Sequence, residues 1–289
     1  NQSFGLQAMT EEIHATFQIE SIRSSRNSIR HILNGYAPRN EEESRIYGMK
    51  RGLDFIADRQ NTITEENLHQ LYQISTGDYL PDEDRLLPDH FYRHDVVYVV
   101  GGEESREGLP AQQLPDAMKR LVDFANAKDG INELHKAAIL HLAFAHYHPY
   151  FDGNGRTARL LHLWYLVQQG YPAALFTPFS RYIAESKAAY YKAYDRVEKN
   201  ALISGYTDVT PFLSYFCNEV YNRLQVDVIP PQADLQVYQT ALANRKITEK
   251  ERLLWEYVLS AYGTEEFTTK QLEKDFRNAA YATIRTFVM

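Results

Sequence analysis

A chain of 289 residues, 44% of them hydrophobic, has enough apolar surface for a real core and the length of about two domains. Its net charge of -7 excludes a generally basic nucleic-acid surface, and its single cysteine, Cys217, excludes an internal disulfide framework. No apolar run reaches the roughly 18 residues of a membrane span and no charged region precedes an apolar N-terminal stretch, so a cytoplasmic setting is expected.

Taken in chain order, helical periodicity dominates. Residues 9–34 carry apolar side chains at Ile13, Phe17, Ile22, Ile29 and Leu33 before "NGYAP" ends the pattern, and a second helix is expected over 41–59. "TITEENLHQLYQIST" opens a third helix, with Thr62 and Glu65 at capping-box spacing. Residues 91–102, "FYRHDVVYVVGG", are β-branched and aromatic and end in a glycine pair, which reads as a strand or small hairpin. Alone in a helical protein, such a segment suits a covering flap. Helices are then expected over 115–128, 132–147, 155–169, 184–199, 208–226 and 232–245. "VIPPQADL" near 228–235 marks a boundary or bend, and the last two helical pieces, from Thr268 to Val288, have helix-turn-helix spacing.

The chemistry concentrates in "HYHPYFDGNGRTARLL", residues 146–161. The helix before it must stop at Pro149, because the residue preceding proline is pushed away from the α region. His148 therefore sits at a helix end with its imidazole free to face a loop, the side chain best suited to take a proton near neutral pH. Gly153 and Gly155 let the backbone approach a ligand closely, and a turn running into a helix start presents N–H groups to an anion. Arg156 and Arg159 stand in the first turn of the new helix, where cations are disfavoured unless something anionic sits there. At i, i+3 spacing each is placed to clamp a phosphate. Asp152 supplies an oxygen ligand for Mg²⁺, which commonly binds one carboxylate plus substrate phosphates.

"HPYFDGNGRTAR" resembles the signature of the Fic family, His-Pro-Phe-x-Asp/Glu-Gly-Asn-Gly-Arg-x-x-Arg, with Tyr150 in place of phenylalanine. "FYRHDVVYVV" is similar to the family's flap, and the likeness runs over roughly residues 10–225. It implies a mainly α fold: a Fic-type helical bundle with a small β-hairpin flap. It also implies AMP transfer from ATP to a Tyr, Thr or Ser hydroxyl of a target protein, with release of pyrophosphate. In that reading His148 deprotonates the hydroxyl, Asp152 holds Mg²⁺, and Asn154 with the amides of Gly153 and Gly155 stabilises the α-phosphate. Arg156 and Arg159 hold the β- and γ-phosphates. The flap from Val99 to Gly102 aligns the target backbone beside the nucleotide by strand addition. Tyr190 and Tyr191 fall where the family contacts adenosine, with core packing as the competing reading.

Near the N-terminus "ATFQIES" resembles the family's inhibitory motif, Ser/Thr-x-x-x-Glu-Gly/Asn, with Thr16 and Glu20 in place and Ser21 departing from glycine or asparagine. The implied logic is electrostatic: Glu20 pairs with Arg159 and keeps it from the γ-phosphate. In some inhibited relatives the same glutamate supports removal of AMP from modified targets, and that alternative stays open.

The expected organisation is an N-terminal helical region over 1–60 carrying the inhibitory motif, a Fic core over 61–227, and a winged-helix-like segment over 228–289 that stops before any wing. Residues 230–289 hold eight basic and eight acidic side chains, and "AAYATIRTFVM" offers only Arg285 as a cation, so DNA binding there is expected to be weak. Dimer support or protein interaction is the favoured role for this segment, with self-modification as a further outcome. A transition-metal site at His141, His146 and His148 is disfavoured, because no fourth ligand has a fitting spacing and the Gly-Asn-Gly-Arg run would go unexplained.

Overall fold

The computed structural model describes residues 2–99, 106–224, 244, 248–261, 267–276 and 281–288. Two antiparallel helices form its centre: α6 (Glu133–Tyr147) and α7 (Asn154–Gln168), joined by the loop of the signature. Helix α7 is buried on every side, from Asn154 through Val167, which explains why it lacks an amphipathic stripe. Around it pack α3 (Glu41–Ala57), α4 (Glu65–Ser75) and α1 (Gln2–Ile19), while α5 (Leu114–Asn126) lies against α6. The helices α8 (Phe179–Glu185), α9 (Lys187–Ser204) and α10 (Thr210–Tyr215) close the other side. Trp164, Tyr72, Tyr150, Phe17 and Phe144 are among the largest fully buried side chains of this single core.

Local sequence accounts for most helix starts. Asn40, Thr64 and Asn132 each accept a backbone N–H from the first turn that follows, at Glu43, Asn67 and Leu134. The cap of α4 is thus Thr64 rather than Thr62, whose carbonyl instead accepts from the Asn67 side chain.

The stretch expected as one helix over 9–34 is two, because α1 ends at Ile19 and α2 spans Arg26–Leu33. The break is a Schellman turn. Ile22 N–H donates to Phe17 C=O at 2.9 Å, Ser21 N–H donates to Gln18 C=O at 3.1 Å, and Ser21 takes φ 57°. The apolar spacing continues across the break because Ile22 and Ile29 both pack on the same core. The stretch 184–199 likewise divides, at Ser186 between α8 and α9, and 208–226 passes from α10 into a π-turn at Phe216–Val220.

The flap is a two-stranded antiparallel pair, β1 (Tyr98–Val99) with β2 (Arg106–Glu107), in the register Tyr98 to Glu107 and Val99 to Arg106. Residues 91–97 approach it as irregular chain, and the expected glycine pair lies outside the described residues. So does the helix expected over 232–245, apart from Asn244. Beyond it α11 (Glu249–Ala261), α12 (Thr269–Asp275) and α13 (Tyr281–Val288) bury Leu254, Val258, Leu272, Phe276 and Ile284 together. This cluster rests on the N-terminal helices. Leu6 of α1 packs into it, Tyr36 Oη donates to Lys274 C=O at 2.7 Å, and Asn34 donates to Tyr257 Oη at 3.3 Å.

Candidate active site

His148 ends α6 in the left-handed region, with φ 52° and ψ 60°, and its N–H donates to Phe144 C=O at 3.0 Å. The proline does push it out of the right-handed helix, but into a left-handed cap rather than into extended chain. Its Nδ1 lies 3.3 Å from Ala145 C=O. A carbonyl only accepts, so Nδ1 carries the proton and Nε2 keeps its lone pair. Burial pushes the imidazole pKa down to about 4, with Arg106 and Arg93 acting in the same direction. The side chain is therefore a neutral base with a fixed tautomer at physiological pH.

The loop that follows is held from within. Tyr150 is fully buried and stacks on Tyr72 with ring centroids 3.6 Å apart. The Asn154 side chain accepts from Tyr150 N–H at 2.9 Å and donates to Tyr150 C=O at 2.8 Å. Asn154, expected at the α-phosphate, thus uses its side-chain amide to close the loop, while its backbone N–H opens the first turn of α7. Gly153 sits at φ 81°, and a Cβ there would stand 2.4 Å from Thr76 Cγ2, so both its backbone angle and its surroundings require glycine. The N–H groups of the first turn of α7 have no intrahelical acceptor and converge with the positive end of the helix dipole.

Both arginines of the signature are buried, at 3% exposure each. Arg156 Nη2 donates to Asp152 Oδ2 at 3.0 Å, while its buried Nε has no acceptor among the described residues. Asp152 itself is half exposed and its other oxygen accepts from Gly153 N–H at 2.6 Å. Arg159 is held by the N-terminal segment: Nε donates to Thr16 Oγ1 at 2.7 Å, and Nη2 reaches Thr16 C=O at 3.3 Å and Glu20 Oε1 at 2.5 Å. The break after α1 places Glu20 at the helix cap, over the start of α7. A Cβ on Gly155 would fall 2.2 Å from Glu20 Oε1, so the second glycine of the loop is what admits the glutamate.

The adenosine-side expectation divides. Tyr190 is 3% exposed, and its hydroxyl is hydrogen-bonded to His141 Nε2 at 2.7 Å and to Tyr194 Oη at 3.2 Å. It belongs to the aromatic core, where a hydroxyl needs an internal partner. Tyr191 is half-buried, and Glu20 and Arg159 both act on its hydroxyl. His141 and His146 part company as well, because His141 is sealed in that core while His146 is exposed and faces Glu198 at 3.4 Å. Val99 lies half-buried in β1.

Three residues that the sequence left unmarked also shape the site. Glu12 of α1 is buried, and its carboxylate accepts from Ser180 N–H at 2.9 Å and from Ser180 Oγ at 2.5 Å, which fixes α1 to the first turn of α8. Glu12, Thr16 and Glu20 follow one another at i, i+4 and i+8, a single stripe of α1. Arg93 and Arg106, on either side of the flap, donate to backbone carbonyls at the end of α6. The only signal in the sequence is the position of both arginines beside a strand, which does not separate a buried cation from an exposed one.

Residues 62–166 match the Fic/DOC family. A Drosophila willistoni protein named protein adenylyltransferase Fic is 30% identical over 144 residues, which is 47% of this chain and 26% of that protein. Its Culex quinquefasciatus namesake is 26% identical over 184 residues, 62% of this chain and 32% of the relative. The match therefore spans about a third or less of these relatives. In fold the chain is similar to a Fic family protein from Desulfovibrio desulfuricans, with TM-score 0.65 and 18% identity over 97% of this chain and 77% of that one. It is also similar to a Fic domain containing signaling protein from Bacteroides thetaiotaomicron, with TM-score 0.56 and 20% identity over 89% of this chain and 88% of that one. Residues 62–166 are thus the part of the chain that matches the Fic/DOC family.

Proposed function

We propose that the chain transfers AMP from ATP to a hydroxyl side chain of a target protein and that Glu20 holds this activity in check. The observation that carries the reading is the loop from His148 to Arg159. It joins a neutral histidine with a free Nε2 to a helix start bearing two buried arginines. Nε2 takes the proton of the target hydroxyl as its oxygen attacks the α-phosphorus. The bond to the β-phosphate oxygen breaks, and pyrophosphate leaves with its charge set against Arg156 and Arg159. The unpartnered Nε of Arg156 suits a phosphate oxygen.

Asp152 is the carboxylate beside the signature arginines that would hold Mg²⁺, an ion that commonly takes one protein carboxylate together with substrate phosphates. The Asp152 side chain, half exposed, would be within reach of such an ion. The ion's chemistry, when bound, is to offset phosphate charge as the bond breaks. Restraint by Glu20 follows from Arg159, whose acceptors among the described residues are two at Thr16 of α1 and one at Glu20 just past its end. A γ-phosphate must displace that carboxylate to reach the guanidinium.

The test is intact mass measurement after incubation with Mg²⁺ and ATP, for wild type, Glu20→Gly and Glu20→Gly/His148→Ala. The expected result is AMP on Glu20→Gly alone. Equal modification of wild type and Glu20→Gly would remove the restraint and keep the transfer. Absence of modification in all three, on themselves and on a cell lysate, would overturn the transfer reading.

A further inference from the structure

Arg93 is an unusual cation. It is 3% exposed, and its hydrogen-bond partners among the described residues are all backbone carbonyls. Nε donates to His148 C=O at 2.7 Å and Nη1 to Asp95 C=O at 2.6 Å. Nη2 donates to Leu109 C=O and reaches Tyr147 C=O at 3.4 Å. Its own N–H donates to Pro149 C=O at 2.9 Å. One residue thus binds the carbonyls of Tyr147, His148 and Pro149 in succession, at the negative end of the α6 dipole. The same guanidinium ties in Leu109, which follows β2. Gly108 lies against it, because a Cβ there would stand 2.7 Å from Arg93 Nη2 and 3.3 Å from His148 Cβ.

A left-handed backbone before a proline is costly for a side chain such as histidine, and persists only where the surroundings over-determine it. Resting on the AMP-transfer reading, we infer that Arg93 is a positioning residue for His148, its planar fork holding the left-handed cap so that the imidazole meets the target hydroxyl. Lysine cannot replace it, since a point charge with three donors does not span carbonyls set in a fork. The charged groups around the imidazole are Arg93 ahead of β1, Arg106 on β2 and Glu20 at the end of α1. Arg93 and Arg106 lower its proton affinity, whereas Glu20 raises it.

The test uses the full chain with Glu20→Gly as background, adding Arg93→Met or Arg93→Lys, with folding checked by circular dichroism. Arg93→Met is expected to lower kcat by about 10- to 100-fold while KM for ATP stays unchanged, because geometry is lost and nucleotide contacts are not. The His148 imidazole, followed by NMR and assigned with His148→Gln, should titrate higher in Arg93→Met than in its parent. Arg93→Lys should restore the titration without restoring kcat.

A folded Arg93→Met with full kcat, or a loss shared equally by KM, would overturn the inference. Full recovery of kcat by lysine would overturn it too, since charge alone would then suffice. If methionine prevents folding, lysine carries the test on the same terms, and failure of both to fold would make Arg93 a residue of stability only. If Glu20→Gly transfers no AMP, the AMP-transfer reading fails by itself. The NMR arm still decides, and an unchanged His148 spectrum and titration in Arg93→Met would overturn the positioning role.

Discussion

Glu20 Oε1 lies 2.5 Å from Arg159 Nη2 and occupies the space that a side chain on Gly155 would fill. The acid reaches the helix start only because α1 stops at Ile19 and turns, and only because the loop presents glycine there. Arg159 is buried and charged, so its acceptors at Thr16 and Glu20 satisfy the protein at the cost of the phosphate site. Removing them and supplying a nucleotide are therefore coupled events.

Breaking the pair should loosen the protein and sensitise it to ATP. Truncating one partner of a buried ion pair costs several kcal/mol, and the partial exposure of Glu20 together with the Thr16 contacts reduces this to about 1–2 kcal/mol for Glu20→Gly. Added Mg²⁺ and ATP should then raise the melting temperature of Glu20→Gly more than that of wild type, because ligand binding stabilises by mass action. Equal shifts in thermal unfolding scans would show that Glu20 does not compete with the nucleotide.

Gly155→Ala should displace Glu20 without touching its codon. The added methyl collides with Oε1, so the single variant should lose stability and expose α1 to hydrogen exchange. The decisive comparison is a double-mutant cycle: in a Glu20→Gly background the same alanine should cost at least about 1 kcal/mol less. Additive costs would place the strain elsewhere.

Ser21 sits at φ 57°, where glycine or asparagine is ordinarily found. Ser21→Gly should therefore stabilise the turn by about 1 kcal/mol and hold Glu20 more firmly over α7. The expectation is a higher melting temperature with lower residual AMP transfer by the otherwise unaltered chain. A destabilised variant would mean that the Ser21 side chain makes up for its backbone strain.

The pH dependence should separate this site from an ordinary histidine. With the His148 pKa near 4, transfer by Glu20→Gly should stay level well below pH 6.5 and fall only as the pH approaches 4. The linked stability has the same sense: the unfolded chain binds the proton first, so stability from this group is complete above about pH 6.5 and is lost as the pH falls toward 4. His162, buried and lowered to about 3, adds a slope of the same sign. Denaturant titrations between pH 4 and 7 on wild type and His148→Gln measure the His148 part as the difference between the two slopes. An acid limb near pH 6.5 would show His148 to be solvated.

Helical periodicity, the proline after His148 and the glycines of the loop are local features, and each was legible because its physics acts over a few residues. They placed α6, the loop and α7 within a residue or so. The motif from Thr16 to Glu20 was legible as a pattern, but the periodicity ran through its turn as one helix, since Phe17 and Ile29 are buried on either side of the break and Ile22 within it packs on the same core. Tyr190 could not be separated from Tyr191 along the chain, because adjacent tyrosines on a helix differ only in what packs against them.

What only the tertiary structure decided is which charges are enclosed. Arg93 reads like any arginine beside a strand, and Glu12 like any acid on a surface helix. The first becomes a clamp because the end of α6 gathers bare carbonyls around it, and the second a latch because α8 begins beneath it. Sequence by itself determined where the chain turns and which residues carry the chemistry. Burial by distant segments determined their charge, their partners and their readiness to act, because desolvation and hydrogen-bond supply are properties of the assembled surroundings.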